Sequence, residues 1–163
     1  MRTRDNRPLL FLIAALVILL DRLSKLWIIH HIKPGFAITI IPRVFRLTHV
    51  LNTGAAFSLF ADSLSPVAVR DSLIAFSIIA VIIVGALVWR MGREITLTGV
   101  ALALILGGAL GNLYDRLVYS FVVDFLEVHI IHYHWPDFNV ADSCIVIGAC
   151  LLLIEIFRPQ PEA

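Results

Sequence analysis

The sequence predicts an all-α membrane protein with four transmembrane helices, a small β-sheet outside the bilayer and one interfacial segment. Hydrophobic residues make up 60% of the 163 residues, and the mean hydropathy is +0.92. Soluble domains are nearer ~45–50% apolar, so the excess indicates lipid as the solvent. The length leaves room for one domain, residues 1–163. A net charge of +1 gives no basic field that would indicate a nucleic-acid partner.

The first predicted span must contain charged residues. The apolar run Leu9 to Leu20 is too short to cross ~30 Å of hydrocarbon, which needs about 20 residues. The helix therefore continues through Asp21 and Lys25, whose spacing of four places them on one face, where they can pair. They form either an ion pair at the interface or a polar support facing a site. The predicted spans are about 9–29, 70–90, 97–117 and 140–157.

The third span ends in an unusual run of small and polar residues. Ala103, Gly107 and Gly111 recur every four residues, which is typical of membrane helices that pack closely. Asn112 and Arg116 lie in the adjacent helical row, together with Gly108. The simplest account of this run is a glycine packing face capped by an interfacial pair of Asp115 and Arg116. That account leaves Asn112 unexplained, because an amide in a membrane needs a hydrogen-bonding partner.

The segments between the spans divide into two kinds. Residues 30–66 contain Pro34-Gly35 and Pro42, then a β-branched stretch from Arg43 to Val50 that predicts short edge strands. Asn52-Thr53-Gly54 predicts a turn, and the small residues Ala55 and Ala56 before Phe57 allow close approach of another chain. Residues 118–137 are aromatic, contain no Lys or Arg, and predict a segment lying on the membrane surface.

Four alternating spans gather a set of polar residues at one face of the membrane. The set contains two acids in apolar sequence, Asp124 and Asp142, the latter following a predicted N-cap at Asn139. Carboxylates at the edge of hydrocarbon need a function or a partner. Counting basic residues does not decide which side this face is on. The residues of the set are Asp21, Asn52, Asn112, Arg116, Asp124, Asn139 and Asp142.

Two neighbouring carboxyl groups suit peptide hydrolysis, because like charges keep one protonated while the other is ionised. The start of a helix favours the charged form of Asp142, but either acid could be the base. No HExxH motif is present. The spacing of His129, His132 and His134 does not place all three on one helix face, so no metal and no cofactor are predicted. The alternative function is a small four-span transporter in which Asp124 or Asp142 carries protons.

Five motifs, in order along most of the chain, resemble the bacterial lipoprotein signal peptidase family (signal peptidase II). They are Asp21 with Lys25, Asn52-Thr53-Gly54-Ala55-Ala56-Phe57, Gly107-Gly108-Ala109-Leu110-Gly111-Asn112 with Asp115-Arg116, Val122-Val123-Asp124-Phe125, and Phe138-Asn139-Val140-Ala141-Asp142.

The resemblance implies an aspartic endopeptidase of the bacterial inner membrane that removes signal peptides from prolipoproteins, before a diacylglyceryl-modified cysteine, at the periplasmic face. The termini would be cytoplasmic, globomycin-type cyclic peptides would inhibit it, and no metal would be used. We expect a monomer whose other partners are membrane lipids. Asp124 and Asp142 match the family's catalytic pair, and Asp21 and Lys25 a structural pair. The positions that bind substrate or brace the site are Asn52, Gly54, Asn112, Arg116 and Asn139.

Overall fold

The computed structural model describes residues 5–54, 65–131 and 133–158. These ranges form four helices and one small antiparallel sheet, as the sequence predicted in outline. The helices are α1 (Arg7–His31), α2 (Pro66–Met91), α3 (Leu97–Tyr119) and α4 (Val140–Ile156). The strands are β1 (Ala37–Ile41), β2 (Phe45–Asn52), β3 (Val122–Ile130) and β4 (Tyr133–His134).

Two of the helices in the described ranges are long and apolar enough to cross a membrane, Val67–Met91 in α2 and Leu97–Tyr119 in α3. Helix α1 is continuous over 25 residues but includes charged side chains, and α4 has 17 residues, about 26 Å at 1.5 Å per residue. Large apolar side chains cover the outside of the helices; Phe76 is 72% exposed. A bundle with an apolar exterior is typical of a protein that lies in lipid.

Helix α3 is central, packing against α1, α2 and α4. The predicted small-residue faces lie at its contacts with two neighbours. A Cβ added to Gly107 would lie 2.7 Å from the carbonyl oxygen of Ala14 in α1. A Cβ added to Gly108 would lie even closer to the carbonyl oxygen of Ala141 in α4. Glycine at these positions lets three helix backbones approach one another.

The sheet has the strand order β1-β2-β3-β4, and every pair is antiparallel. The range 118–137, which was predicted to lie on the membrane surface, contains β3 and β4, two strands that the sequence did not predict. Its Val and Phe residues instead serve a strand, in which Val123 and Phe125 pack with Ile28 and Ile32 at the end of α1. The predicted strand at 43–50 is confirmed as β2, although β2 lies inside the sheet rather than at its edge.

Gly107→Ala should lower the stability of the protein in detergent by about 1–3 kcal/mol, the usual cost of overpacking. The added methyl group meets a backbone carbonyl, which cannot rotate away as a side chain can. The melting temperature measures the effect. Gly85→Ala is the matched control, because its nearest new neighbour lies 3.9 Å away. Equal melting temperatures for the two variants would contradict close packing at Gly107.

Candidate active site

Asp124 lies on β3 opposite Val50 of β2, and it is 2% exposed. Two amide side chains donate hydrogen bonds to its carboxyl group. Asn52 Nδ2 lies 2.8 Å from Oδ2, and Asn139 Nδ2 lies 2.7 Å from Oδ1. The buried acid therefore has a polar partner on each oxygen, as a carboxyl group inside apolar surroundings requires.

Asp142 lies in the first turn of α4, where Asn139 is the N-cap that the sequence predicted. The two residues form a reciprocal capping box: Asn139 Oδ1 accepts from Asp142 N at 2.9 Å, and Asp142 Oδ2 accepts from Asn139 N at 3.2 Å. Asn112 Nδ2 donates to the other carboxyl oxygen of Asp142 at 2.7 Å. The cap thus turns the Asp142 carboxyl group back toward the start of the helix.

Asn139 connects the two acids, which come from different elements. Its side chain donates to Asp124 and accepts from the backbone of Asp142, and it also donates to Asn112 Oδ1 at 3.2 Å. Asn139 is fully buried. The two carboxyl groups are each one hydrogen bond away from the same residue and therefore border one site.

Gly54 fixes the orientation of Asn52. The backbone N–H of Gly54 donates to Asn52 Oδ1 at 2.8 Å, which leaves the amide nitrogen directed at Asp124. Gly54 has φ +88°, a conformation that glycine adopts without steric cost. This confirms the predicted turn, while Ala55, Ala56 and Phe57 lie outside the described residues.

A buried group of charges lies beside the site. Lys25 Nζ is 2.7 Å from Asp21 Oδ2, 2.8 Å from Asp115 Oδ2 and 3.1 Å from Asn112 Oδ1. Arg22 makes an ion pair with the other oxygen of Asp115. The side chains of Lys25, Asp21 and Asp115 are 0% exposed. The formal charges of the two acids and the two basic residues cancel, as buried charges require.

Asp115 pairs with Lys25 and Arg22 rather than with Arg116, as the simplest account of the sequence would have it, because consecutive helix residues point in different directions. Asp115 faces α1 instead. Sequence reasoning also missed Arg22 as a member of the charged group. A signal for the position of Asp115 was available in its four-residue spacing from Gly111. This spacing predicts that both residues lie on the face of α3 that packs against α1.

The charged group also holds the start of α4. Asp21 Oδ1 accepts a hydrogen bond from the backbone N–H of Ala141 at 3.0 Å, one residue before Asp142. Lys25 contacts the same Asn112 amide that donates to Asp142. A continuous set of hydrogen bonds therefore runs from α1 through α3 to both acids.

Arg116 is half-buried in the last turn of α3. Its Nη1 donates to the carbonyl of Asn112 at 3.4 Å, so the guanidinium group lies at the end of α3 that carries Asn112. A role in binding substrate stays a prediction for this residue.

The pKa of Asp124 is raised to about 6, mainly because the carboxyl group is buried. The hydrogen bonds from Asn52 and Asn139 lower this pKa, and the nearby charge of Asp142 raises it. An acid with this pKa binds and releases a proton near neutral pH. Two carboxyl groups with unequal surroundings suit general acid–base chemistry, in which one donates a proton while the other accepts one.

One group of side chains could hold a metal ion. Glu127, His129 and His134 offer ligand atoms that lie within 4.8 Å of one another. They lie on β3 and β4, so the argument against a metal site, which assumed a helix, does not apply. His132 lies outside the described residues.

Comparison with known proteins identifies the family. The family described as "Signal peptidase (SPase) II" matches residues 13–158 of the chain. The chain belongs to the signal peptidase II family. The "Lipoprotein signal peptidase" of Solibacter usitatus is 40% identical over 151 residues, covering 93% of this chain and 92% of its own length. That of Pseudomonas putida is 44% identical over 151 residues, covering 91% and 86%.

Two solved structures of bacterial membrane enzymes resemble this signal peptidase II family member. One has a TM-score of 0.82 and 28% identity, covering 100% of this chain and 99% of that chain. The other has a TM-score of 0.80 and 32% identity, covering 98% and 99%. The family expected from the five sequence motifs is therefore confirmed, and it is a family of peptidases.

Lys25→Met should lower the free energy of unfolding by about 3–5 kcal/mol, because it leaves Asp21 and Asp115 without their shared cation. Denaturation in detergent measures the loss. Lys33→Met is the control, because Lys33 is exposed and should change stability by no more than about 0.5 kcal/mol.

A double variant tests the cause. Asp21→Asn combined with Lys25→Met removes one buried charge of each sign, so it should be more stable than Lys25→Met alone. Additive losses would contradict direct coupling of the two side chains.

Proposed function

We propose that this chain is an intramembrane aspartic endopeptidase that removes the signal peptide from prolipoproteins, cleaving before the diacylglyceryl-modified cysteine. Asp124 and Asp142 are its catalytic pair. The observation that carries the proposal is the shared contact of both acids with Asn139. Family membership supplies the substrate class, through the relatives named lipoprotein signal peptidases.

Hydrolysis begins with a water molecule between the acids and the scissile carbonyl. Ionised Asp142 takes a proton from the water, and the water oxygen attacks the carbonyl carbon. Protonated Asp124 donates its proton to the carbonyl oxygen. The resulting gem-diol collapses when Asp124 takes back a hydroxyl proton and Asp142 donates its proton to the amide nitrogen. The C–N bond breaks, and both acids return to their starting states.

The surroundings of the two acids support this division of roles. Asp142 accepts hydrogen bonds from Asn112 and from the backbone of Asn139 at a helix start, and donors there stabilise a negative charge. Asp124 has a pKa raised to about 6 by burial, so it retains a proton more readily.

The depth of the site explains why the substrate carries a lipid. A peptide bond next to a diacylglyceryl group is held where the bilayer meets water, and the protease must hold its acids at that depth. The described acids lie beside the ends of α1, α3 and α4 that adjoin the sheet. The acyl chains of the substrate would lie against the apolar exteriors of the helices. Asn52, Gly54 and Arg116 would then bind the peptide backbone of the substrate.

The proposed topology has all four helices crossing the bacterial inner membrane. The sheet and site then face the periplasm, and both termini lie in the cytoplasm. Helix α1 is continuous, and its Lys25 side chain is 0% exposed and therefore shielded from lipid. Both features support a span that contains charged residues. Exposed apolar side chains such as Leu12 and Ile147 support lipid contact for α1 and α4. We propose that the protein acts as a monomer and that globomycin-type peptides compete for the same site.

Purified protein should cleave a lipid-modified precursor and leave its unlipidated twin intact. Asp124→Asn and Asp142→Asn should each abolish cleavage, by ~10³-fold or more, since an amide cannot exchange the proton that each step needs. Gel separation of precursor and product measures the rate. Asp71→Asn is the matched control at an exposed acid and should cleave at the wild-type rate.

If Asp124→Asn or Asp142→Asn keeps most of the wild-type activity, the proposed catalytic pair is wrong. Absence of product from the lipidated precursor, together with proton-driven uptake in vesicles that depends on Asp124 or Asp142, would instead favour a small transporter.

The pH dependence should follow the proton on Asp124. Because Asp124 acts as the acid, kcat/KM should fall as pH rises through an apparent pKa of about 6. Asn52→Ala removes a hydrogen bond that lowers the pKa of Asp124, so the alkaline limb should move to higher pH.

The same profile for Asn6→Ala supplies the control, since Asn6 precedes the opposite end of α1. If the alkaline limb of the Asn52→Ala profile stays in place or moves to lower pH, Asp124 is not the general acid.

A further inference from the structure

Three potential metal ligands lie together on the sheet, apart from the catalytic acids, and a fourth carboxyl group lies near His134. His129 and His134 are paired directly across β3 and β4, and Glu127 lies two residues before His129, so its side chain is on the same face of the strand. Asp137 follows β4. None of the four contributes to the chemistry proposed for Asp124.

The ligand atoms converge on one oxygen. His129 Nε2 is 2.7 Å from Glu127 Oε1, and His134 Nε2 is 2.9 Å from the same atom. Asp137 Oδ2 lies 4.0 Å from His134 Nε2. Ligands on tetrahedral Zn²⁺ lie about 3.3 Å apart when the metal–ligand distances are near 2.0–2.1 Å. The distances between these ligand atoms therefore need to change by about 0.4–0.7 Å to open a coordination site, and the two imidazole rings are accessible enough to move.

We propose that Glu127, His129 and His134, with Asp137 as the fourth ligand, bind a divalent transition-metal ion of the Zn²⁺ type. Two imidazole nitrogens with two carboxylate oxygens are a donor set that suits Zn²⁺ and Cu²⁺ better than Mg²⁺ or Ca²⁺. The proposal does not depend on the peptidase chemistry, because the site and the catalytic pair share no residue.

Burial and access both favour the site. Glu127 is 2% exposed, whereas the side chains of His129 and His134 are 32% and 52% exposed, so an ion reaches the carboxylate from the water side. Arg46 holds Glu127 through two hydrogen bonds of 2.6 Å and lowers the pKa of its carboxyl group. Glu127 is thus charged and oriented before an ion arrives.

Arg46 also sets a requirement. Its Nη2 donates to Oε1, the atom on which the imidazoles converge, while its Nε donates to Oε2. Metal binding replaces the first bond and leaves the second, in which a basic partner orients a ligating carboxylate from behind. The rival arrangement is a histidine–glutamate–arginine cluster that binds no metal.

A bound ion would stabilise the path from the sheet to the catalytic cap. Strand β4 has two residues, and four residues separate His134 from Asn139. Phe138 in this stretch pairs with Leu126 of β3. Tying His134 and Asp137 to β3 adds a cross-link near Asn139, so the ion is expected to raise the melting temperature through mass action.

Untagged full-length protein in detergent, stripped with a chelator, should bind Zn²⁺ alone at one ion per chain in calorimetric titration, with a rise in melting temperature. His129→Ala and His134→Ala should weaken binding by ~10-fold or more, the scale on which even outer partners of a metal act. Asp137→Asn should weaken Zn²⁺ binding without disturbing the fold. In the wild type Thr48 donates a hydrogen bond to Asp137 Oδ1 at 2.6 Å, and the amide oxygen of asparagine can accept the same bond. His30→Ala, at an exposed histidine on α1, should leave binding unchanged.

No saturable Zn²⁺ binding by the wild type would overturn the proposal and favour the metal-free cluster. Binding that is the same in His129→Ala, His134→Ala and the wild type would also overturn it, because the ion would then lie elsewhere. Because His134 is half exposed, its alanine variant is expected to fold, and its melting temperature without Zn²⁺ checks this.

Discussion

The Lys25 ammonium group is the constraint on which the arrangement of the helices depends. It contacts two carboxyl groups and the Asn112 amide in a space that water does not reach. Such a cation is costly to bury unless every partner is in position. Once α1 and α3 supply those partners, their rotation and depth relative to each other have little freedom. Close packing at Gly107 and Gly111 allows the side chains to meet.

The site is built by extending that buried group in one direction. The amide oxygen of Asn112 accepts a hydrogen bond from Lys25, and its amide nitrogen donates one to Asp142. The position of Lys25 therefore helps to fix the position of the Asp142 carboxyl group. Asn139 does the same between Asp142 and Asp124. Amides are suited to this role because each has a donor end and an acceptor end. The two acids are thereby held by side chains that do not ionise themselves.

The raised pKa of Asp124 makes the stability of the folded protein depend on pH. Its pKa in the folded protein, about 6, lies above the ordinary value of 3.8, so the unfolded chain releases this proton first. Stability is therefore lost as pH rises from about 3.8 to about 6, by roughly 3 kcal/mol on the scale of 1.36 kcal/mol per pKa unit. The burial that raises this pKa therefore also works against folding near neutral pH.

The sequence by itself determined the four helices, the cap at Asn139, the turn at Gly54 and the set of polar residues, because these follow from hydrophobic runs and from local hydrogen bonding. Tertiary structure decided the rest. The strand at 122–130 was hidden because a buried strand lacks the alternation of an exposed one. The partners of Asp115 were hidden because they lie on another helix, 93 residues away in the case of Arg22. Local patterns report which residues are apolar or turn-forming, whereas the choice of partner across the chain depends on how helices and strands pack.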